Sequence, residues 1–286
     1  MDRMFNGFSV LAAVFFLAAA TACEKGETQA EHSLAAATPN VVTVTAGDYV
    51  FEAPAEIPAG LTTFRLVNKG TEPHHAQLFR LLEGKSVDDL LAAFRAGGPL
   101  PGWVSHVGGP NAVDPGGVSN ATSNLEPGHY VLACVIPSPD GVLHLAKGMI
   151  SQLEVVPSQA PTASEPQADL VMRLVDYGFL LSPETVTAGT HVIRVVNEGP
   201  QVHEVVVARL EPGKSMADLA AWFEGGMQGP PPAHFIGGVV GLDVGKEATF
   251  TAEFTPATYL LLCFVPDARD GKEHIAHGMA KQFTVS

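Results

Sequence analysis

The sequence contains two sets of one cysteine, two histidines and one methionine, arranged in the same order. In each set a histidine follows an Asn-x-Gly turn, and the cysteine lies the same number of residues downstream. The second histidine and the methionine come shortly after the cysteine. The members are His74, Cys134, His144 and Met149 in the first set, and His203, Cys263, His274 and Met279 in the second. A thiolate, two imidazoles and a thioether form a donor set that suits copper. The repeat therefore predicts one copper site per copy, up to two per chain.

The two repeated cysteines also fit a structural role, in either of two ways. Cys134 and Cys263 are candidates for a disulfide, which requires two equivalent positions to meet across a domain contact with Cα atoms within about 7 Å. They are also candidates for buried structural thiols. Neither role accounts for a histidine and a methionine at matched positions beside each cysteine.

Short apolar or alternating segments, separated by glycine and proline, predict a β-rich fold. They occur at residues 41–45, 62–67, 75–81, 190–196 and 203–210. Each copy also predicts one short helix. These helices begin at Ser86 and Ser215, where a serine cap precedes acidic residues, and end at paired glycines.

The chain of 286 residues is long enough for two domains that each bury a core. A segment rich in proline, serine and alanine, residues 157–168, predicts a linker between them. We expect one domain at residues 40–156, called the first repeat, and another at residues 169–286, called the second repeat.

The N-terminus predicts export from the cytoplasm. Residues 1–22 have a signal peptide's basic residue, apolar run and small residues. Cys23 then predicts lipidation, as in bacterial lipoproteins, with ordinary Ala-x-Ala cleavage as the alternative. Residues 23–39 have the composition of a solvated tether. We expect a protein of the periplasm or cell envelope that meets the membrane only through a lipid on Cys23.

The charge of the chain limits its partners. With a net charge of −14 and only 16 lysines and arginines, the protein is repelled by nucleic acid and by anionic membrane surfaces. We therefore expect no nucleic-acid partner.

Both repeats resemble cupredoxins, the small Greek-key β-sandwiches that hold type 1 copper. The resemblance rests on the two ligand sets and covers nearly the whole mature chain. It implies an all-β fold of two tandem sandwiches, each with one short inserted helix. It also implies that the cysteine, second histidine and methionine share the loop between the last two strands, and that His144 and His274 are the ligands nearest the surface.

Two features depart from the family pattern. The step from cysteine to second histidine is ten residues in one copy and eleven in the other, which is longer than in small electron carriers. The asparagine that usually follows the first histidine is replaced by His75 and Glu204. These replacements alter the groups expected around the ligands.

The residues before the cysteines argue against a copper enzyme. Copper nitrite reductases and multicopper oxidases place a histidine there, whereas this sequence has Ala133 and Leu262. Neither repeat has a His-x-His pair, and no hydrolase motif occurs. We expect a non-enzymatic electron carrier that works with a redox partner protein. The alternatives are a copper storage or delivery protein, with a copper donor or acceptor as partner, and a metal-free structural or interaction module.

Overall fold

The computed structural model describes residues 38–286. The predicted signal peptide at residues 1–22, Cys23 and most of the predicted tether at residues 23–39 lie outside the described residues. Within the described part, no helix is both long enough and apolar enough to cross a membrane.

Most of the regular structure is β-strand, and each repeat adds one α-helix. The first repeat contains β1 (Asn40–Gly47), β2 (Val50–Glu52), β3 (Glu56–Pro58), β4 (Gly60–Asn68), β5 (Gln77–Leu81), α1 (Val87–Ala96), β6 (Val104–His106), β7 (Val118–Leu125), β8 (Gly128–Ala133) and β9 (Ile150–Val156). The second repeat contains β10 (Leu170–Val175), β11 (Gly178–Ser182), β12 (Gly189–Asn197), β13 (His203–Leu210), α2 (Met216–Glu224), β14 (Ala233–Leu242), β15 (Glu247–Phe254), β16 (Ala257–Leu262) and β17 (Ala280–Val285).

Each repeat is a two-layer β-sandwich. In the first repeat, a sheet of order β2-β1-β4-β7 faces a sheet of order β3-β9-β8-β5-β6. In the second repeat, a sheet of order β11-β10-β12-β15 faces one of order β14-β13-β16-β17. Most neighbours are antiparallel, but three pairs are parallel: β1 with β4, β3 with β9, and β10 with β12. The predicted all-β fold of two cupredoxin-like sandwiches with one short helix each is confirmed.

The cores lie between the paired sheets. Phe64, Leu66 and Leu78 are among the buried side chains of the first core, and Phe250 and Tyr259 are among those of the second. Burying each such large apolar side chain contributes about 1.5–3 kcal/mol. Because the cysteine and methionine of each ligand set belong to these same clusters, the candidate sites lie at one end of a packed core.

The two helices begin as the sequence predicts. Ser86 and Asp89 form a capping box at the start of α1, and Ser215 and Asp218 form the same box at the start of α2. Each helix buries one leucine, Leu90 or Leu219, against the outer side of the sheet that carries the candidate ligands.

The two repeats share one compact unit. Thr122 of β7 pairs with Thr249 of β15, which joins one sheet from each repeat into a continuous eight-stranded sheet. No strand or helix lies between β9 and β10, where the linker is predicted. The exact domain boundaries, 40–156 and 169–286, stay a prediction.

A second contact between the repeats brings equivalent segments together. The chain after β6 runs antiparallel to β14, with Pro110 opposite Val239. The backbone N–H of Val240 donates to Gly109 O at 3.1 Å, and the N–H of Asn111 donates to Gly238 O at 3.2 Å. Pro110 and Val239 are as far apart in the sequence as His74 and His203, so this contact has approximate two-fold symmetry about that pair.

The repeated glycine pairs make this crossing possible. Gly109 has φ +128° and Gly238 has φ +122°, and a Cβ at either position would lie 2.2 Å from Ala76 O or 2.0 Å from Val205 O. Both carbonyls belong to residues two positions after a candidate ligand histidine. Only glycine therefore lets the crossing segments approach the chain that holds these histidines.

Candidate metal centres

The four predicted ligands of the first repeat lie at the ends of neighbouring strands. His74 lies three residues before β5, Cys134 directly follows β8, and Met149 directly precedes β9. His144 begins a short 3₁₀ helix, His144–Lys147, in the loop between β8 and β9. Because β5 and β9 both pair with β8, these strand ends lie side by side at one end of the sheet.

In the first repeat, one thiol and two imidazoles converge. The Nδ1 atoms of His74 and His144 are 3.1 Å apart, and the Cys134 Sγ lies 3.3 Å from His144 Nδ1 and 4.0 Å from His74 Nδ1. All three side chains are fully buried. These three donor atoms are close enough together to bind one metal ion.

The second repeat has the same arrangement. The Nδ1 atoms of His203 and His274 are 3.0 Å apart, and the Cys263 Sγ lies 3.4 Å from His274 Nδ1. His203 is the first residue of β13, Cys263 directly follows β16, and all three side chains are fully buried. The repeat in the sequence therefore corresponds to two separate, equivalent His-Cys-His groups.

The methionines lie beside these groups. Met149 and Met279 are fully buried, and each belongs to the same cluster as the cysteine of its repeat. The Met149 N–H donates to His144 O at 2.9 Å, and the Cys134 N–H donates to Met149 O at 3.1 Å. The backbone thus ties the methionine to the cysteine and histidine. The role of Met149 and Met279 as weak axial ligands stays a prediction.

A buried asparagine shapes the turn before each first histidine. Asn68 donates to Glu72 O at 2.8 Å and to Val113 O at 2.9 Å, and Asn197 makes the matching bonds in the second repeat. A Cβ on Gly70 would lie 2.5 Å from His74 Nε2. The repeated Asn-x-Gly turn is therefore required by the histidine ring that packs against it.

Carboxylates surround the outer nitrogens of the four histidines. His144 Nε2 lies 2.8 Å from Glu72 Oε2, and His203 Nε2 lies 2.8 Å from Asp176 Oδ1. A neutral imidazole donates its Nε2–H to such a carboxylate, which leaves Nδ1 with a free lone pair directed at the cysteine.

The remaining two histidines have longer carboxylate contacts. His74 Nε2 lies 3.7 Å from Asp48 Oδ1, and His274 Nε2 lies 3.8 Å from Asp267 Oδ2. Within residues 38–286, these two Nε2 atoms have no hydrogen-bond partner. The short carboxylate hydrogen bond is therefore made by the second histidine in the first repeat, His144, but by the first histidine in the second repeat, His203.

Burial shifts the pKa of three of the histidines and of both cysteines toward the uncharged form. It lowers the pKa of His74 to about 4, with His144 adding to the decrease, and it likewise lowers the pKa of His274 to about 4. Burial also raises the pKa of the Cys134 thiol to about 12 and raises that of Cys263. A thiolate forms in such a place only when a cation compensates it, so metal binding displaces the thiol proton.

This donor set fits type 1 copper. Two imidazole Nδ1 atoms and one thiol within a buried pocket are the donors that such a site uses, and the pocket brings these atoms within binding distance of one ion. Both cysteines that the structure describes are free, and each lies in its own repeat. The disulfide alternative is therefore excluded.

Two tyrosines at the sites were missed by the sequence analysis. Tyr49 lies edge-on to His144 with ring centroids 5.3 Å apart, and Tyr177 lies edge-on to His274 at 5.5 Å. Both are half-buried and cover the second histidine, whose ring does not reach solvent. The sequence feature that could have identified them is an Asp-Tyr pair directly after the first strand of each repeat, Asp48-Tyr49 and Asp176-Tyr177.

The residues that depart from the family pattern keep one backbone contact. His75 Nε2 accepts a hydrogen bond from the Val135 N–H at 2.8 Å. Glu204 Oε1 accepts one from the Phe264 N–H at 3.0 Å. Both replacements therefore accept a hydrogen bond from the backbone N–H of the residue that follows the cysteine.

Comparisons with known proteins found matches among solved structures. No family model and no curated protein matches the sequence. A solved auracyanin from Roseiflexus castenholzii is 21% identical with a TM-score of 0.29, and the match covers 42% of this chain and 100% of that one. A blue copper oxidase from Nitrosomonas europaea is 16% identical with a TM-score of 0.25, covering 87% of this chain and 85% of that one. A copper-containing nitrite reductase from Thermus scotoductus is 11% identical with a TM-score of 0.23, covering 86% and 61%.

The prediction that the chain is not an enzyme is contradicted by these comparisons. The blue copper oxidase and the nitrite reductase, which each match most of this chain, are enzymes, and the chain has a His-Cys-His group in each repeat. The prediction rests partly on Ala133 and Leu262, which are the buried last residues of β8 and β16, and partly on the absence of His-x-His and hydrolase motifs. These two residues describe only one position where a further copper ligand can lie, so they do not exclude catalysis. The resemblance of each repeat to cupredoxins is confirmed.

Proposed function

We propose that this protein binds copper at a type 1 site in each repeat and uses both sites to transfer single electrons outside the cytoplasm. The observation that supports the proposal is the convergence of two histidine Nδ1 atoms and one cysteine Sγ in each sandwich. His74, Cys134 and His144 would hold copper in the first repeat. The corresponding ligands in the second repeat would be His203, Cys263 and His274, with Met149 and Met279 as weak axial ligands.

The pocket chemistry favours a soft cation. The donors are buried, and the two Nδ1 atoms of each site lie 3.0–3.1 Å apart, close enough for one cation to bind both. A cation bound there stabilises the thiolate. When bound, copper supplies a one-electron couple, because this donor set suits both Cu(I) and Cu(II).

The rigidity of the pocket supports electron transfer rather than loose metal storage. Strand ends fix the histidine and cysteine of each site, and buried Asn68 and Asn197 fix the turns before the first histidines. The Leu145 N–H donates to Cys134 O at 2.8 Å, which closes the ligand loop on the cysteine. A site that is already shaped for its metal rearranges little when the metal changes charge.

Tyr49 and Tyr177 mark the place where electrons would enter or leave. Each is half-buried and lies between a ligand histidine and solvent. Lys147 Nζ lies 4.7 Å above the Tyr49 ring and 2.8 Å from Asp140 Oδ2, so the first repeat presents an ion pair there. The partner would be a redox protein, and the proposed location is the periplasm or cell envelope, with a lipid on Cys23 as the only membrane contact.

The proposal is tested by copper binding to the purified mature protein. Addition of Cu(II) should give two coppers per chain and an intense thiolate-to-copper absorption band with a type 1 EPR signal. Cys134→Ser and Cys263→Ser should each remove about half of the band, and the double variant all of it. Cys23→Ser is the matched control and should keep the whole band.

Different results would separate the alternatives. Binding of Cu(I) without a stable oxidised form would favour copper storage or delivery over electron transfer. If the wild-type protein retains no copper, or if the band survives in the double variant, the ligand assignment fails.

A further inference from the structure

The loop that follows Cys263 holds a second group of possible metal ligands. Asp267, Asp270 and His277 each place a carboxylate oxygen or a ring nitrogen within 4.8 Å of the other two. Asp267 is buried, His277 is partly buried and Asp270 is exposed. Carboxylates and imidazoles together suit Zn²⁺ and other divalent transition-metal ions. None of these three residues belongs to a His-Cys-His group.

The equivalent loop of the first repeat has weaker ligands. Counted from the cysteine or the second histidine, its equivalent positions hold Ser138, Asp140 and Lys147. Lys147 Nζ lies 2.8 Å from Asp140 Oδ2, whereas His277 Nε2 lies 3.1 Å from Asp270 Oδ1. A lysine ammonium has no lone pair for a metal, but an imidazole has one. The second repeat thus has an aspartate in place of the serine and a histidine in place of the lysine, and both differences supply a better metal ligand.

Tyr177 and the backbone hold the second loop in shape. The Tyr177 hydroxyl donates to Asp267 Oδ2 at 2.5 Å, and its ring packs on the His277 ring with centroids 5.1 Å apart. The Asp267 N–H donates to Lys272 O at 2.7 Å, and its carbonyl accepts from the Gly271 N–H at 2.9 Å. The buried carboxylate and the imidazole are therefore positioned by the fold itself.

A buried nitrogen without a partner faces the same carboxylate. His274 is fully buried, and its Nε2 lies 3.8 Å from Asp267 Oδ2. Within residues 38–286, this atom has no hydrogen-bond partner. Buried polar atoms are nearly always paired, so an unpaired one marks a place for a bound water or ion. The other such atom in these residues, His74 Nε2, lies beside Asp48, which belongs to no group of possible metal ligands there.

One basic side chain occupies the place where a cation would bind. A carboxylate has about four acceptor positions, and three on Asp267 accept from Tyr177 Oη, Gln201 Nε2 and the Arg269 N–H. The fourth faces the Arg269 side chain, whose Nε lies 3.3 Å from Oδ1. This side chain is 72% exposed, and the Lys272 side chain beside the other carboxylate is 70% exposed. Exposed ion pairs of this kind are weak, so a divalent cation can displace them.

A cavity reaches this loop from the first repeat. Its volume is about 150 Å³, and it is lined by Gly98, Pro99, Pro266, Asp267 and Gly271. A cavity of this size holds several water molecules or one small ligand. Three protein ligands leave a coordination position open on a zinc-class ion.

We propose that Asp267, Asp270 and His277 form a third metal site, which binds a divalent transition-metal ion such as Zn²⁺ and keeps a coordination position open for a small ligand. The proposal goes beyond the proposed function and does not depend on it. The bound ion takes the position of the Arg269 side chain, which moves into solvent. The first repeat has no equivalent site, because Lys147 replaces the histidine.

Zinc titration of full-length, metal-free Cys134→Ser/Cys263→Ser protein tests the proposal, because this variant lacks both thiols of the candidate copper sites. Isothermal titration calorimetry should show one Zn²⁺ bound per chain. His277→Lys, which copies the first repeat, and Asp270→Asn should each lower zinc affinity at least about tenfold, since losing a group that only supports a metal ligand already costs about 10–100-fold. Arg269→Gln should raise the affinity, because it removes the competing cation.

His129→Lys is the matched control. The His129 ring is exposed and pairs with Glu154, as His277 pairs with Asp270, but within residues 38–286 it belongs to no group of three possible ligands. Zinc affinity should stay unchanged in this variant. If the double cysteine variant does not fold, wild-type protein replaces it, and His277→Lys should then bind one Zn²⁺ fewer than His129→Lys.

The outcomes separate the third site from the copper sites. Absence of zinc binding, or zinc binding that survives both His277→Lys and Asp270→Asn, refutes the third site and leaves the copper proposal intact. Weaker zinc binding by Arg269→Gln refutes the position assigned to the ion. A wild-type protein that retains no copper but binds Zn²⁺ through Asp270 and His277 refutes the copper proposal and supports the third site.

Discussion

Replacement of Glu72 by glutamine should weaken copper binding at the first site alone. The Glu72 Oε2 accepts from His144 Nε2 at 2.8 Å, which is a charge-assisted hydrogen bond on a buried ring. Such bonds contribute about 1.5–3 kcal/mol. Since about 1.4 kcal/mol corresponds to a tenfold change in affinity, we expect Glu72→Gln to lower affinity about tenfold to a hundredfold.

Asp48→Asn provides the matched control in the same site. Asp48 Oδ1 lies 3.7 Å from His74 Nε2, beyond hydrogen-bond distance, and its side chain is 42% exposed. The Asp48 carboxylate is screened by solvent and makes no hydrogen bond to the His74 ring, so the contact contributes only about 0–1 kcal/mol. We therefore expect Asp48→Asn to change copper affinity by no more than about fivefold.

The assay is a competition titration with a chromophoric copper chelator in the Cys263→Ser background, where only the first site keeps its thiol. The second repeat supplies a reciprocal experiment: Asp176→Asn in the Cys134→Ser background should behave like Glu72→Gln, because Asp176 lies 2.8 Å from His203 Nε2. Equal losses for Glu72→Gln and Asp48→Asn would refute the argument, since the two variants differ in the hydrogen bond and share the loss of one negative charge.

Two further predictions concern the contact between the repeats. Gly238→Ala should lower the free energy of unfolding by about 1–3 kcal/mol in urea titration, because its Cβ would lie 2.0 Å from Val205 O; an unchanged midpoint would mean that the crossing relaxes freely. Asp243 accepts hydrogen bonds from Ser105 Oγ at 2.7 Å and from the ring of His106, which both belong to the first repeat. Burial raises the pKa of the Asp243 carboxyl, but these hydrogen bonds lower it by more, so the pKa is lowered overall. The stabilisation from Asp243 is therefore complete above the unfolded pKa of about 3.9 and is lost as pH falls through the folded pKa. Asp243→Asn should cost about 1–3 kcal/mol at pH 7 and progressively less below about pH 4, and a difference that grows with acidification would contradict this sign.

The repeat in the sequence was sufficient to place the candidate donors. His74, Cys134 and His144 are far apart along the chain, but comparison of two copies isolates them from the other histidines. The same comparison locates both helices, because a serine cap and a glycine end are local signals. The third predicted strand begins two residues early, at residue 75, because His74 and Ala76 hydrogen-bond the crossing segment rather than the sheet.

The outer contacts were harder to predict, since they depend on geometry between distant segments. The Asp-Tyr pair at Asp48 was visible in both copies but is only two residues long. Glu72 and Asp267 contact equivalent histidines from positions that do not correspond in the repeat. His277 has a lysine as its counterpart, so comparison of the copies treats it as unimportant. The paired glycines occur at equivalent positions in both copies, but only the structure shows that the crossing backbone lies too close to Val205 O for a Cβ.

The two-fold crossing at Pro110 and Val239 has a consequence for the symmetry of the molecule. An isologous contact between equivalent segments is the contact that two identical subunits make. In a homodimer, any residue beside the axis occurs twice, so an asparagine there would face a second asparagine. In this single polypeptide that constraint is absent: Asn111 and Val240 are equivalent positions with different side chains, and the molecule has a direction that no symmetric dimer can have.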